Sequence, residues 1–277
     1  MQSAKEIIKK HNFRMKKAFG QNFLTDEALL ADIVEKAGIT ADDTVIEVGP
    51  GAGTLTREIA KVAKRVVCFE IDETLKPLHD DMLEGFDNVE VRFQDIMKVP
   101  KEDFEEFGKF KVVANLPYYI TTPILMFFLE EVENVQSLSV MVQLEVAKRL
   151  VADSTQSDYG SISVSIDLEC DASIVKMVGR ENFFPPPKVD SAVVRIDVDR
   201  KKYNCDKVWT KKVVKSAFKM RRKMLTNNLT SDFPITKQQV EEILAEMGIN
   251  EKIRGEKIST EQFIKLGEKL KLKIENF

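Results

Sequence analysis

From residue 44 to residue 143, short apolar runs alternate with segments of helical periodicity, the pattern of an α/β domain with a mostly parallel sheet. The predicted strands are Thr44-Val45-Ile46-Glu47-Val48, Arg65-Val66-Val67-Cys68-Phe69, Val89-Glu90-Val91-Arg92-Phe93, Lys111-Val112-Val113-Ala114 and Leu138-Ser139-Val140-Met141-Val142-Gln143. They are rich in β-branched and aromatic residues, which suit a pleated, buried surface. A helix capped by Thr25 or Asp26 is predicted to run to about Ala37, with Leu29, Leu30, Ile33 and Val34 inward and Gly38 ending it. Further helices are expected from Thr54 through Lys64, from about Pro123 to Glu131, and around Glu145 to Leu150. Two last strands, 172–177 and 191–196, are expected as a hairpin-like pair at one edge of the sheet.

After Asp199 the pattern becomes helical only. One helix is predicted from Lys207 to Asn228, with Trp209, Val213, Val214, Ala217, Phe218 and Leu225 on its apolar face. Two more follow at about Lys237–Glu246 and Thr260–Lys271. The expected organisation is a basic N-terminal arm at 1–20, an α/β domain at 21–199 and a small all-helical domain at 200–277.

Charge sharpens this division. The formal net charge is −3, yet residues 200–277 hold 19 Lys+Arg against 10 Asp+Glu, and residues 1–20 hold six basic groups and one acid. Residues 200–230 alone carry 11 basic groups and one acid. An acidic body flanked by two basic segments implies a polyanion gripped at defined places, with Lys16 and Lys17 in the arm and Lys219, Arg221, Arg222 and Lys223 in the helical part as the candidates. The longest apolar run, Ile124 to Leu129, is too short to cross a bilayer, and the N-terminus lacks a secretory apolar block, so a cytoplasmic protein with no membrane partner is expected. Three scattered cysteines and two histidines give no basis for a disulfide, a metal site or a Ser-His-Asp system.

Candidate chemistry gathers where strands end. The first strand runs into Gly49-Pro50-Gly51-Ala52-Gly53, and the next three end at Glu70, at Gln94-Asp95 and at Asn115. In a parallel sheet those ends share one rim, where ligands bind. The loop lacks the spacing of the dinucleotide fingerprint and the lysine of a phosphate loop, which favours a nucleoside ligand without pyrophosphate. S-adenosylmethionine is such a ligand, with Glu70 for its ribose and Asp95 for its adenine amine. The competing reading makes the glycines packing residues and the acids solvated termini. Asn115-Leu116-Pro117-Tyr118 places an amide oxygen, a backbone carbonyl and an aromatic ring together, parts that suit a flipped base with an exocyclic amine. Read alone, the tetrapeptide is equally a tight turn with a buried tyrosine. The stiff run Phe183-Phe184-Pro185-Pro186-Pro187-Lys188-Val189 would hold Phe183 or Phe184 as a fixed aromatic surface.

With these residues located, the chain resembles the KsgA-type ribosomal RNA adenine N6,N6-dimethyltransferases over nearly its whole length. The resemblance rests on Phe19-Gly20-Gln21-Asn22-Phe23-Leu24, Glu47 to Gly53, Asn115 to Tyr119, Phe183 to Val194, and Phe218-Lys219-Met220-Arg221-Arg222-Lys223-Met224-Leu225. Met224 departs from the threonine more usual there. The resemblance implies a class I, Rossmann-like S-adenosylmethionine-dependent methyltransferase domain with a C-terminal helical domain. It implies cofactor contacts at Asn22, Leu24, Gly49, Glu70, Asp95 and Asn115, beside which Gln21 and Gly51 are candidates. The expected substrate is a pair of adjacent adenosines near the 3′ end of small-subunit rRNA, in the immature 30S subunit, with S-adenosylhomocysteine as product, no metal, and a monomeric enzyme. The expected catalytic set is Asn115 and the Leu116 carbonyl on the adenine amine, with Tyr118 and Phe183 sandwiching the base. The rivals are an Erm-type large-subunit rRNA dimethyltransferase, a nicotinamide-dependent oxidoreductase on the same sheet, and a subunit-assembly factor with vestigial catalysis.

Overall fold

A computed structural model of the chain describes residues 4–11 and 23–275. In chain order its elements are α1 (Ala4–Lys10), β1 (Phe23–Leu24), α2 (Glu27–Lys36), β2 (Thr44–Val48), α3 (Thr54–Ala60), β3 (Arg65–Glu70), α4 (Lys76–Met82), β4 (Val89–Phe93), β5 (Phe110–Asn115), α5 (Thr121–Glu130), β6 (Val135–Gln143) and α6 (Leu144–Val151). Then come α7 (Ser161–Asp167), β7 (Cys170–Val178), β8 (Phe183–Phe184), β9 (Ser191–Val198), α8 (Lys207–Ala217), α9 (Leu225–Asp232), α10 (Lys237–Glu246) and α11 (Thr260–Glu275).

The central sheet has seven strands in the order β4-β3-β2-β5-β6-β9-β7. Neighbours from β4 to β6 run parallel, and β9 pairs antiparallel with β6. Strand order reverses at β2: β3 and β4 extend to one side of it and β5 to the other. Such a switch point leaves a crevice beyond the strands' carboxyl ends. The strands that flank it are buried on both faces, with Val45, Ile46, Val66, Val67 and Val112 all at 1% exposure or less, which explains their unbroken apolar character. α2 begins where Asp26 accepts bonds from the Ala28 and Leu29 amides, and it buries Leu30, Ile33 and Val34. A cluster of phenylalanines, centred on the fully buried Phe104 with Phe69, Phe107, Phe110, Phe127 and Phe128 around it, fills the layer beside β5 and α5.

The chain divides into two compact units, one made of 1–147 with 173–198, the other of 148–172 with 199–277. This corrects the boundary drawn from sequence, which assigned 148–172 to the α/β domain. Tyr159, Val164 and Leu168 lie in the apolar core formed by α8 to α11, among Val213, Leu229, Val240 and Phe263. The Tyr159 hydroxyl donates to the Ile258 carbonyl at 2.9 Å, tying the segment to a residue 99 positions away.

The helix expected from Lys207 to Asn228 is two helices, α8 and α9, separated by a turn at 218–224. A continuous helix would stack Lys215, Lys219, Arg222 and Lys223 one turn apart, where like charges repel. Asn228 stabilises the break: its side-chain amide donates to the carbonyls of Ala217 at 2.7 Å and Met220 at 3.3 Å. The Leu225 amide opens α9 by donating to the Ile253 carbonyl.

Part of the basic arm is docked. α1 packs on α4, with Ile7 buried against Leu75, Leu78 and Met82, while Lys10 and His11 both pair with one oxygen of Asp81, at 2.6 and 2.8 Å. The expectation gave too little weight to Ile7 and Ile8, whose apolar surface leaves water here. Lys16, Lys17, Gln21 and Asn22 lie outside the described residues.

Candidate active site

The rim predicted from strand ends is a real cavity at the switch point. Leu24, Gly49, Gly51, Glu70, Asp95, Asn115, Leu116 and Tyr118 line it together with Glu47, Phe23, Pro117 and Tyr119. Leu24 comes from β1, which pairs antiparallel with β8 so that Phe23 faces Phe184 and Leu24 faces Phe183. The two-residue ladder carries the segment before α2 to the edge of the glycine loop.

Geometry at that loop is tight. Gly49 and Gly51 have φ of +67° and +57°, values that favour glycine. A Cβ at Gly51 would come within 2.9 Å of the Phe23 ring, whereas a Cβ at Gly49 would meet nothing within 4 Å and would project into open space. Glu70 is 5% exposed, and its carboxylate accepts from the Gly51 amide at 3.2 Å on one oxygen and from the Ile71 and Asp72 amides at 2.8 and 2.9 Å on the other. Burial raises its pKa although these amides oppose the shift. The oxygen shared with Gly51 keeps lone-pair capacity for a hydroxyl. Asp95 uses one oxygen to accept from the Met97 amide at 3.0 Å.

Beneath the loop, Glu47 is 1% exposed and takes a weak hydrogen bond from the Cys68 thiol, Sγ to Oε2 at 3.6 Å. Burial pushes its pKa from 4.5 up to about 7. Below pH 4.5 folded and unfolded chains both hold this proton. Between 4.5 and about 7 the unfolded chain releases it first, so stability is lost as pH rises through that window. Glu47→Gln is therefore expected to flatten the pH dependence between about pH 4.5 and 7, by up to about 3 kcal/mol. Urea unfolding of both proteins across that range measures the difference, and parallel curves would refute it.

At the end of β5 the turn after Asn115 is closed by the Pro117 carbonyl, which accepts from the Ile120 amide and the Thr121 hydroxyl, both at 3.1 Å. The Tyr118 hydroxyl bonds Ser191 Oγ at 2.8 Å, and Ser191 is fully buried at the start of β9. Partial burial raises the Tyr118 pKa, so the phenol stays neutral. A ring tethered this way is a fixed stacking platform. Ser191 was legible only as part of a longer run, because the contact joins residues 73 apart.

One expectation changes. Phe183 is 4% exposed and packs in the core with Leu24, Val178 and Val193, whereas Phe184 is 61% exposed, and neither lines the cavity. Strand alternation sends one ring of the pair inward and the other outward, so the accessible aromatic face at this segment is that of Phe184.

The cavity is acidic. Among the described residues its lining carries Glu47, Glu70 and Asp95 and no lysine or arginine. That set suits a cationic, hydroxyl-bearing nucleoside and disfavours a pyrophosphate, and the space beside Gly49 is the cradle such a ligand would fill. In the helical unit Lys219, Arg221, Arg222 and Lys223 are exposed on the turn between α8 and α9. Lys219 pairs with Asp232, and Arg221 lies 3.8 Å from Glu256. Arg222 and Lys223 have no ion-pair partner among the described residues.

A switch-point cavity whose described lining holds no lysine or arginine, on a mostly parallel seven-stranded sheet with an antiparallel β9 inserted between β6 and the edge strand β7, has the architecture of a class I methyltransferase. The family model for ribosomal RNA adenine dimethylases matches residues 12–271. The chain belongs to that family. Ribosomal RNA small subunit methyltransferase A of Clostridioides difficile is 44% identical over 98% of this chain and 96% of that protein. The protein of the same name from Bacillus licheniformis is 42% identical over 96% and 95%. Among solved structures, a dimethyladenosine transferase from Plasmodium falciparum superposes with a TM-score of 0.75 at 26% identity, covering 88% of this chain and 95% of that one. The 23S rRNA methyltransferase ErmE gives 0.71 at 30% identity, covering 90% and 100%. No described helix is long and apolar enough to cross a membrane.

Proposed function

We propose that this protein transfers methyl groups from S-adenosylmethionine to N6 of two adjacent adenosines near the 3′ end of small-subunit rRNA. It acts as a cytoplasmic monomer on the immature 30S subunit and releases S-adenosylhomocysteine. The observation that carries this reading is the acidic switch-point cavity with Asn115, Leu116 and Tyr118 on its rim. Glu70 would hold the ribose, Asp95 the adenine amine, and Leu24, Gly49 and Gly51 the walls. Bound there, S-adenosylmethionine supplies an electrophilic methyl group on a cationic sulfur.

Adenine N6 is a poor nucleophile because its lone pair is delocalised into the ring. Asn115 Oδ1 and the Leu116 carbonyl accept its N–H bonds, localise the pair and aim it. Tyr118, tethered to Ser191, stacks on a base drawn out of its helix, offsetting part of an unstacking cost of a few kcal/mol. The second ring would come from the Phe183-Phe184 segment, expected at Phe183, with Phe184 its exposed member. The cationic turn of the helical unit grips the phosphate backbone.

The Erm-type alternative draws on the superposition with ErmE, but the relatives at 42–44% identity over nearly the full chain carry the small-subunit name. Labelled methyl transfer to unmodified 30S and 50S subunits separates the two. Label is expected in two neighbouring N6,N6-dimethyladenosines of the small-subunit RNA, and label confined to the large subunit would overturn the assignment.

A further inference from the structure

His79 is a buried titratable group that the chemistry above leaves unused. It sits on α4, is 3% exposed, and its Nε2 lies 2.7 Å from the Gly51 carbonyl oxygen. A carbonyl only accepts, so Nε2 carries the proton. Nδ1 is buried with no hydrogen-bond partner among the described residues, which fits the neutral Nε2–H tautomer, and burial holds the ring's pKa below the ordinary histidine value. The ring stacks on Phe93 with centroids 5.9 Å apart. Among the described residues one ring nitrogen is thus left unpaired while the other reaches the glycine loop.

Gly51 is consequently held on three sides: its carbonyl by His79, its amide by Glu70, and its Cα face by the Phe23 ring. Gly51 and Glu70 both line the cavity. Without the imidazole donor, the Gly51–Ala52 peptide loses its carbonyl anchor, and rotation at Gly51 can then displace the adjoining Pro50–Gly51 amide, one of three that Glu70 accepts from.

We infer that His79 is a positioning residue for the adenosyl ligand: by anchoring the Gly51 carbonyl it sets the loop and the Glu70 carboxylate in register for binding. This rests on reading the cavity as the S-adenosylmethionine site. The role belongs to affinity rather than to the methyl-transfer step, because His79 touches neither Asn115 nor Tyr118.

The test compares His79→Gln with His79→Met. Glutamine carries an amide N–H at the reach of imidazole Nε2, and methionine has similar length without the donor. Titration of S-adenosylhomocysteine, without RNA, is expected to give a three- to tenfold weaker Kd for the Met variant, about the effect of one net hydrogen bond. The Gln variant should stay within about twofold of wild type, and kcat at saturating cofactor should change less than about twofold in either. In the wild-type protein, the His79 ring nitrogen resonances should report the Nε2–H tautomer and shift on addition of S-adenosylhomocysteine, a readout that needs no variant to fold. Unchanged affinity in the Met variant, equal loss in both variants, or unshifted resonances would overturn the role of His79. Wild-type protein that binds neither S-adenosylmethionine nor its product would instead overturn the proposed function.

Discussion

Asn115→Ala is expected to lower kcat for methyl transfer by at least about 100-fold, the usual cost of removing one preorganised polar contact to a reacting group. The alanine leaves the N6 amine with a single acceptor, the Leu116 carbonyl, so the lone pair is neither localised nor aimed. Cofactor affinity should fall far less, because Gly51, Glu70 and Asp95 remain in place. Asn115→Asp keeps an acceptor oxygen and should retain more activity than alanine. Single-turnover transfer with saturating S-adenosylmethionine isolates the step. Near-normal dimethylation by the alanine variant would remove Asn115 from the mechanism, and an equal fall in cofactor binding would make it a binding residue instead.

Reversing Arg222 and Lys223 to glutamate is expected to weaken binding to small-subunit RNA by about 10- to 100-fold at low salt. The slope of log K against log salt should fall by about two, one unit for each lost phosphate contact. These two residues are preferred to Lys219 and Arg221, whose replacement would also strip partners from Asp232 and Glu256. Their exposure on a turn outside the helical core keeps the fold out of the readout. RNA titrations over a salt series would measure both quantities, and an unchanged slope would put the RNA surface elsewhere.

The sheet was readable because each parallel strand carries its own signal. Val45-Ile46, Val66-Val67 and Val112-Val113 are buried on both faces, so burial leaves an uninterrupted apolar run in the local sequence. Their polar ends could be placed on one rim because parallel strands share a direction. The glycine loop was readable for a similar reason, since its positive φ values demand glycine where they occur. The aromatic pair at 183 and 184 was not. A two-residue strand has too little alternation to say which ring turns inward until its partner, Phe23-Leu24, is known.

By itself, the sequence determined the five parallel strands in chain order, the rim bearing Glu70, Asp95 and Asn115, the charge asymmetry, and the family resemblance. All of these depend on residue type and short-range periodicity. Only the tertiary structure decided that residues 148–172 join the helical unit, that the cationic helix breaks at 218–224, that Ile7 docks on α4, and that His79 and Ser191 hold the glycine loop and Tyr118. Each of those rests on a contact between distant segments, such as Tyr159 to Ile258, Leu225 to Ile253 or His79 to Gly51. A buried hydrogen bond of that kind leaves no periodic trace in either segment, because its energy depends on where folding brings the two groups and not on their neighbours in the chain.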